Sequence, residues 1–72
     1  MKNFYGQRVE ETMVYFYNSL SEKDRRRYAA VEAEKLPHGG QKYISMIFGC
    51  DEKTIQQGLI DLGSEDELKK NE

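Results

Sequence analysis

Residues 41–62, QKYISMIFGCDEKTIQQGLIDL, decide the fold, because they predict two short helices joined by a tight turn. Apolar side chains on both sides of the turn recur in steps of three and four, the spacing of one helix face. They are Tyr43, Ile44, Ile47 and Phe48 before the turn and Ile55, Leu59 and Leu62 after it. Gly49 ends the first helix, since glycine adopts a left-handed backbone at low cost, and Asp51 is a good cap for the second. The pattern is typical of a helix-turn-helix.

Two further helices are predicted upstream of this pair. About residues 3–18 form the first, because its apolar side chains recur at helical spacing. Ser21 predicts the start of the next, since its hydroxyl can accept from a first-turn amide and Asp24 occupies the acidic position of a capping box. Pro37 ends that helix, and a glycine turn at residues 39–40 follows. No strand pattern competes, so the sequence predicts a small all-α domain of three to four helices.

The chain has 72 residues, which predicts one domain, over residues 1–62. The last helix is expected to stop at Gly63, and the polar sequence GSEDELKKNE, residues 63–72, predicts a flexible tail. The formal net charge of -2 lies entirely in that tail, because residues 1–62 carry nine basic and nine acidic side chains. The basic excess that usually marks a nucleic-acid-binding domain is therefore missing from the sequence.

Composition also limits the class of protein. No apolar run approaches the length of a membrane span, and the first residues lack the apolar stretch of a secretory signal. The single cysteine, Cys50, excludes an internal disulfide and a cysteine-based zinc cluster. We therefore expect a cytoplasmic protein without a membrane partner, associated with the nucleoid if it binds DNA. No nucleophile–base pair, metal cluster or phosphate loop is present, so neither an enzyme nor a cofactor or metal is expected.

The second helix of the predicted pair carries the side chains that can read DNA. Its first turns can enter a major groove, where glutamine pairs with adenine and lysine reaches guanine or phosphate. The basic run at residues 23–27 can contact phosphates. The candidate DNA-binding residues are Arg25, Arg26, Lys42, Lys53, Thr54, Gln56 and Gln57. The alternative for all of them is a solvated helix face, with ion pairs from the basic run to Glu22, Asp24 and Glu34.

Residues 20–62, LSEKDRRRYAAVEAEKLPHGGQKYISMIFGCDEKTIQQGLIDL, resemble the N-terminal region of bacterial insertion-sequence transposases of the Rhodopirellula type. The resemblance depends chiefly on the glycine pair at 39–40 together with the T-I-x-x-G-L ending at 54–59. The other matches are Leu20, Glu22, Arg25 or Arg26, Arg27, Ala30, Glu32, Ala33, Gly49, Cys50 and Leu62. It implies a trihelical, homeodomain-like module with an extra leading helix, which recognises the terminal inverted repeats of a mobile element during transposition and DNA recombination. The metal-binding catalytic domain of that family is separate, so the chain would be an excised domain or a truncated copy.

A second interpretation is a helical protein-interaction domain that binds no DNA. The first helix region offers more aromatic side chains than a thin trihelical core needs, namely Phe4, Tyr5, Phe16 and Tyr17. Some of these are expected to form a homodimer or to dock on the missing catalytic domain. Glu32 lies among alanines, and we expect it to be partly buried and paired with an arginine such as Arg27 or Arg8.

Overall fold

The computed structural model describes residues 3–70, and the side chains of residues 3–63. That part of the chain forms four helices and no strand, as the predicted all-α class requires. The helices are α1 (Gln7–Ser19), α2 (Glu22–Glu34), α3 (Gly40–Phe48) and α4 (Glu52–Lys70). None of the described helices is long and apolar enough to span a bilayer.

Local signals set the ends of three of these helices. At the start of α2 the backbone N–H of Asp24 donates to Ser21 Oγ over 3.3 Å, which confirms the predicted cap. Gly39 and Gly49 have φ values of 94° and 69°, the left-handed conformation that glycine adopts without strain. Gly49 ends α3, and residues 49–51 form the turn to α4, whose first backbone N–H bonds reach the carbonyl of Asp51.

The core lies where α1, α2, α3 and the start of α4 meet. Its buried members are Met13, Ala29, Ala33, Tyr43, Ile44, Phe48 and Ile55.

Tyr43 of α3 contacts the N-terminal segment and α1. Its hydroxyl accepts a hydrogen bond from Tyr5 N–H over 3.2 Å and donates one to the carboxylate of Glu10, while the Phe4 ring packs edge-on against its own at 5.1 Å. Burial, followed by the hydrogen bond to Glu10, raises the pKa of Tyr43 above its ordinary value. The phenol therefore stays neutral and ties the N-terminal segment and α1 to α3.

Helix α4 approaches α2 closely at Gly58. A Cβ added to this residue would lie 2.6 Å from the carbonyl oxygen of Arg26 and 2.9 Å from the Cβ of Ala30. Ile55, one turn earlier on α4, is fully buried in the core. The T-I-x-x-G-L sequence at 54–59 thus contains two residues that hold α4 in place.

Helix α1 begins at Gln7, after an N-cap at Gly6, and not at about residue 3 as predicted. Two further expectations about local structure are wrong. Helix α4 does not stop at Gly63 but continues to Lys70. A glycine inside a helix costs only about 1 kcal/mol, and Glu, Leu and Lys in the following turns favour the helix. The flexibility of the tail stays a prediction, because residues 71 and 72 and the side chains of 64–70 lie outside the described residues.

The last correction concerns Glu32, which is only 8% exposed. Its carboxylate accepts a hydrogen bond from Lys35 Nζ at 3.2 Å, and not from Arg27 or Arg8 as predicted. Lys35 is three residues along the same helix, where side chains are neighbours. The pKa of Tyr28 is raised by burial and then by the negative charge of Glu32.

We expect the substitution Gly58→Ala to destabilise the domain. Overpacking at a backbone contact typically costs about 1–3 kcal/mol, and the better helix propensity of alanine returns about 1 kcal/mol. The free energy of unfolding, measured by urea denaturation and circular dichroism, should therefore fall by up to about 2 kcal/mol.

Gly63→Ala is the matched control for that measurement. The same methyl group is added to the same helix, but among the described residues it meets nothing within 4 Å apart from its chain neighbours and the backbone of its own helix. The control should be stabilised by about 0.5–1 kcal/mol. Equal effects of the two substitutions would contradict a close contact between α2 and α4.

Candidate nucleic-acid interface

An open groove of about 540 Å³ lies between the first turns of α2 and α4. It brings together five of the seven residues predicted to bind DNA. Its lining comprises Tyr17, Glu22, Arg25, Arg26, Cys50, Lys53, Thr54 and Gln57. The basic side chains outnumber the single acidic one, and the positive ends of two helix dipoles are close by. The residues that line the groove thus carry a positive formal charge, although the chain as a whole is acidic.

The outward face of α4 borders this groove. Lys53, Gln56, Gln57 and Ile60 are exposed and follow one another at steps of three, one and three, so they form a single stripe along the helix. Ile55 and Gly58 are buried on the opposite face. We call these four exposed residues the α4 stripe. It combines one positive charge, two amides and one apolar side chain.

Lys42 is not brought together with the other predicted residues. It lies in the first turn of α3 and lines a separate groove of about 620 Å³ with His38, Gln41 and Glu52. The carboxylate of Glu52 and the ammonium group of Lys42 line the same groove. The structure thus separates Lys42 from Lys53, which the sequence had grouped by residue type.

Arg25 closes the end of α1. Its Nε donates to the carbonyl of Tyr17 at 3.1 Å, and its Nη2 donates to the carbonyl of Asn18 at 2.9 Å. The guanidinium carbon also lies 5.6 Å from the centre of the Tyr17 ring, within range of a cation–π contact. Both carbonyls belong to the last turn of α1, where backbone partners run out; that of Tyr17 also accepts from the N–H of Leu20 at 3.2 Å. Arg25 therefore has a structural role before any ligand is considered.

Arg26 connects α2 to α4. Its Nε donates to Oδ2 of Asp61 at 3.1 Å, and both side chains are about one-third exposed. The other carboxylate oxygen, Oδ1, accepts a hydrogen bond from Nε2 of Gln57 at 2.9 Å. The predicted ion pairs of the basic run were with Glu22, Asp24 and Glu34. Among the described contacts, only Arg27–Asp24, at 3.9 Å, follows that expectation.

The floor of the groove is uncharged. Tyr17 and Cys50 are both half-buried, and both line the groove. Burial is the largest cause that raises the pKa of the Cys50 thiol, and burial also raises the pKa of Tyr17. Both groups therefore stay protonated near neutral pH, and they place no negative charge beneath the arginines.

Sequence reasoning missed two residues of this surface. Asp61 is four residues after Gln57, a spacing that predicts a side-chain contact on a helix. Ile60 is 61% exposed, and the helical period that turns Ile55 and Leu59 toward α2 and α3 turns this residue outward. The outward direction of both side chains was therefore predictable from local spacing. The hydrogen bond that Arg26 donates to Asp61 spans 35 residues and was not predictable in that way.

We expect Arg25→Ala to destabilise the fold, because two carbonyls of α1 lose a charged donor. The free energy of unfolding should fall by about 1–2 kcal/mol, since hydrogen bonds to charged groups contribute about that much. Chemical denaturation measures the change. Lys23→Ala, an exposed residue of the same basic run, should change stability by less than about 0.5 kcal/mol. Equal, small effects would show that Arg25 does not hold α1.

Among the described residues, no group of three histidine, cysteine, aspartate or glutamate side chains is placed to hold a metal ion. Comparison of the chain with known protein families, curated proteins and solved structures gave no match. The functional interpretation of the groove and the α4 stripe therefore comes from their own side chains.

Proposed function

We propose that this domain binds double-stranded DNA, with the N-terminal half of α4 as the recognition helix in a major groove. The observation that carries the proposal is the α4 stripe, which begins one residue after the N-terminus of a helix and contains two exposed amides beside a lysine. A major groove admits one helix, and its base edges offer donors and acceptors that such side chains can match. Helices α2, α3 and α4 would then form a trihelical helix-turn-helix of homeodomain-like type.

The chemistry of the stripe favours a site that contains A·T pairs. Glutamine is suited to the donor and acceptor of adenine, and an exposed aliphatic side chain such as Ile60 can pack on the methyl group of thymine. Lys53 can reach guanine or a phosphate. A stripe with one charge and three neutral side chains is better suited to contact base edges than to bind the phosphates of the DNA backbone.

Phosphate contacts would come from the groove next to the stripe. Arginine has five N–H donors, and Arg25 uses two of them on the carbonyls of α1, so three remain for a ligand. Thr54 lies in the first turn of α4 and can donate its hydroxyl to a phosphate. Because Arg25 is fixed by its protein contacts, it would present its remaining donors in a defined direction.

The resemblance of residues 20–62 to the N-terminal region of insertion-sequence transposases supports a more specific role. In that role the domain would recognise the terminal repeats of a mobile element, and the catalytic domain would be a separate partner. The packing of Ile55 and Gly58 gives a physical reason for the T-I-x-x-G-L ending. The α4 stripe would then supply the preference for one element over another.

A protein-interaction domain is the second candidate, and exposed apolar side chains on α1 favour it. Three of the four aromatic residues expected to form that surface are packed into the domain. Phe4 and Tyr5 lie against Tyr43, and Tyr17 stacks on Phe48 at 4.3 Å. Phe16 is half exposed, but its ring meets Tyr28 edge-on. The most exposed aromatic is instead Tyr15, at 81%, beside a groove of about 500 Å³ that Val14 and Ile47 also line.

We expect Lys53→Ala and Gln57→Ala to weaken binding to a selected duplex without unfolding the domain. Both side chains are exposed, so their loss creates no cavity. Lys53→Ala should reduce the slope of log K against log salt by about 1, because one phosphate contact is lost. Gln57→Ala should leave the slope unchanged but reduce the preference among sequences. Fluorescence anisotropy at several salt concentrations measures both.

Lys42→Ala is the control, since it removes the same charge from a different groove. Its salt slope should match that of the unsubstituted domain. Equal binding to every duplex, unaffected by Lys53→Ala and Gln57→Ala, would contradict the proposed role of α4.

The interaction candidate predicts self-association through α1. Sedimentation equilibrium at increasing concentration should then show a dimer that Tyr15→Ser abolishes, because the substitution removes the largest exposed ring. A monomer up to millimolar concentration would eliminate the homodimer. A dimer that persists in Tyr15→Ser would place the interface elsewhere.

A further inference from the structure

Asp61 holds two partners that belong to different parts of the proposed interface. One carboxylate oxygen accepts from Arg26 of α2, and the other accepts from the side-chain amide of Gln57, one turn earlier on α4. Because Arg26 approaches from another helix, it restrains the carboxylate more than a bond within α4 alone would. The three side chains form a chain of hydrogen bonds from α2 to the exposed stripe.

The carboxylate determines which end of the Gln57 amide faces it. An ionised aspartate only accepts hydrogen bonds, so the NH₂ group of the amide must be the end turned toward Asp61. One of its two N–H groups is used there, at 2.9 Å. The amide oxygen and the second N–H then remain for a ligand. The exposed side chain would otherwise present either end of its amide.

This remaining pair of groups distinguishes adenine from guanine. In the major groove adenine presents one donor, N6–H, and one acceptor, N7, whereas guanine presents two acceptors, O6 and N7. One oxygen acceptor and one N–H donor match adenine. Against guanine the same oxygen would meet another acceptor. A glutamine whose amide rotates freely loses conformational entropy when it binds a base. A glutamine whose amide is already held in place loses less.

We propose that Asp61 is a positioning residue that presets the amide of Gln57 for adenine at one position of the DNA site. This inference rests on the proposed function, since it assigns a base to a stripe residue of the same recognition helix. It adds a specificity determinant that does not itself touch the DNA. Arg26 has the related role of holding Asp61 in place.

The test compares the unsubstituted domain with Asp61→Asn, which has nearly the same shape but can both donate and accept. Duplexes are selected from a randomised pool, and binding is then measured for the selected site and for variants with each base at the Gln57 position. We expect Asp61→Asn to reduce the preference for adenine over guanine by about fivefold or more, because a bidentate base contact is worth that much discrimination. In a Gln57→Ala background the same substitution should change the preference by less than twofold.

Asp24→Asn is the matched control, since it removes one negative charge from a residue whose ion-pair partner is Arg27 and not Arg26 or Gln57. It should keep the adenine preference. The nuclear magnetic resonance signals of the Gln57 side-chain NH₂ group in the free domain provide a readout that needs no DNA. They should shift in Asp61→Asn and stay in place in Asp24→Asn, and circular dichroism checks that all variants fold.

The outcomes separate the two proposals. A domain that binds DNA and keeps its adenine preference in Asp61→Asn would overturn the positioning role and leave the proposed function intact. Unchanged Gln57 NH₂ signals in Asp61→Asn would also overturn it. A domain that binds no duplex above the level of nonspecific association would overturn the proposed function, and the assignment of adenine with it.

Discussion

The close contact of α4 with α2 at Gly58 is the constraint on which the rest of the domain depends. The absent side chain allows the helix to lie directly against the carbonyl of Arg26 and the methyl group of Ala30. This approach brings Asp61, three residues further on, within hydrogen-bonding distance of Arg26. It also fixes which face of α4 is turned away from the body. The groove and the stripe are consequences of how closely these two helices pack.

Local chemistry made most of the secondary structure predictable. Ser21 and Gly49 act within a few residues of their own positions, so the cap of α2 and the turn after α3 follow from residue type and spacing. The error at Gly63 has the same origin, because a residue that permits a helix to end does not require it to end. Four helices were therefore predictable, and the extent of the last was not.

The partners of charged and polar side chains were much less predictable. Arg26 meets Asp61 across 35 residues, and Tyr43 meets Glu10 across 33. Such pairs depend on how the helices cross, and helical spacing carries no information about that crossing. The same reason explains why Lys42 and Lys53, alike in sequence, lie in different grooves. Grouping residues by their place on a helix identified the outward face of α4 but not the contacts that fix its side chains.

A side chain added at Gly58 would clash with α2, and this limits which residues of the domain can change over evolutionary time. A smaller residue in place of Ala30 would relieve one contact of an added methyl group, but the Arg26 carbonyl belongs to the backbone and stays whatever side chain position 26 carries. A larger residue at position 58 therefore destabilises the domain while this packing persists. Lys53, Gln56 and Ile60 are exposed and can vary on the unchanged scaffold. The residues that fix the packing of α4 are thus separate from those on its exposed face, so that face can change without loss of the packing.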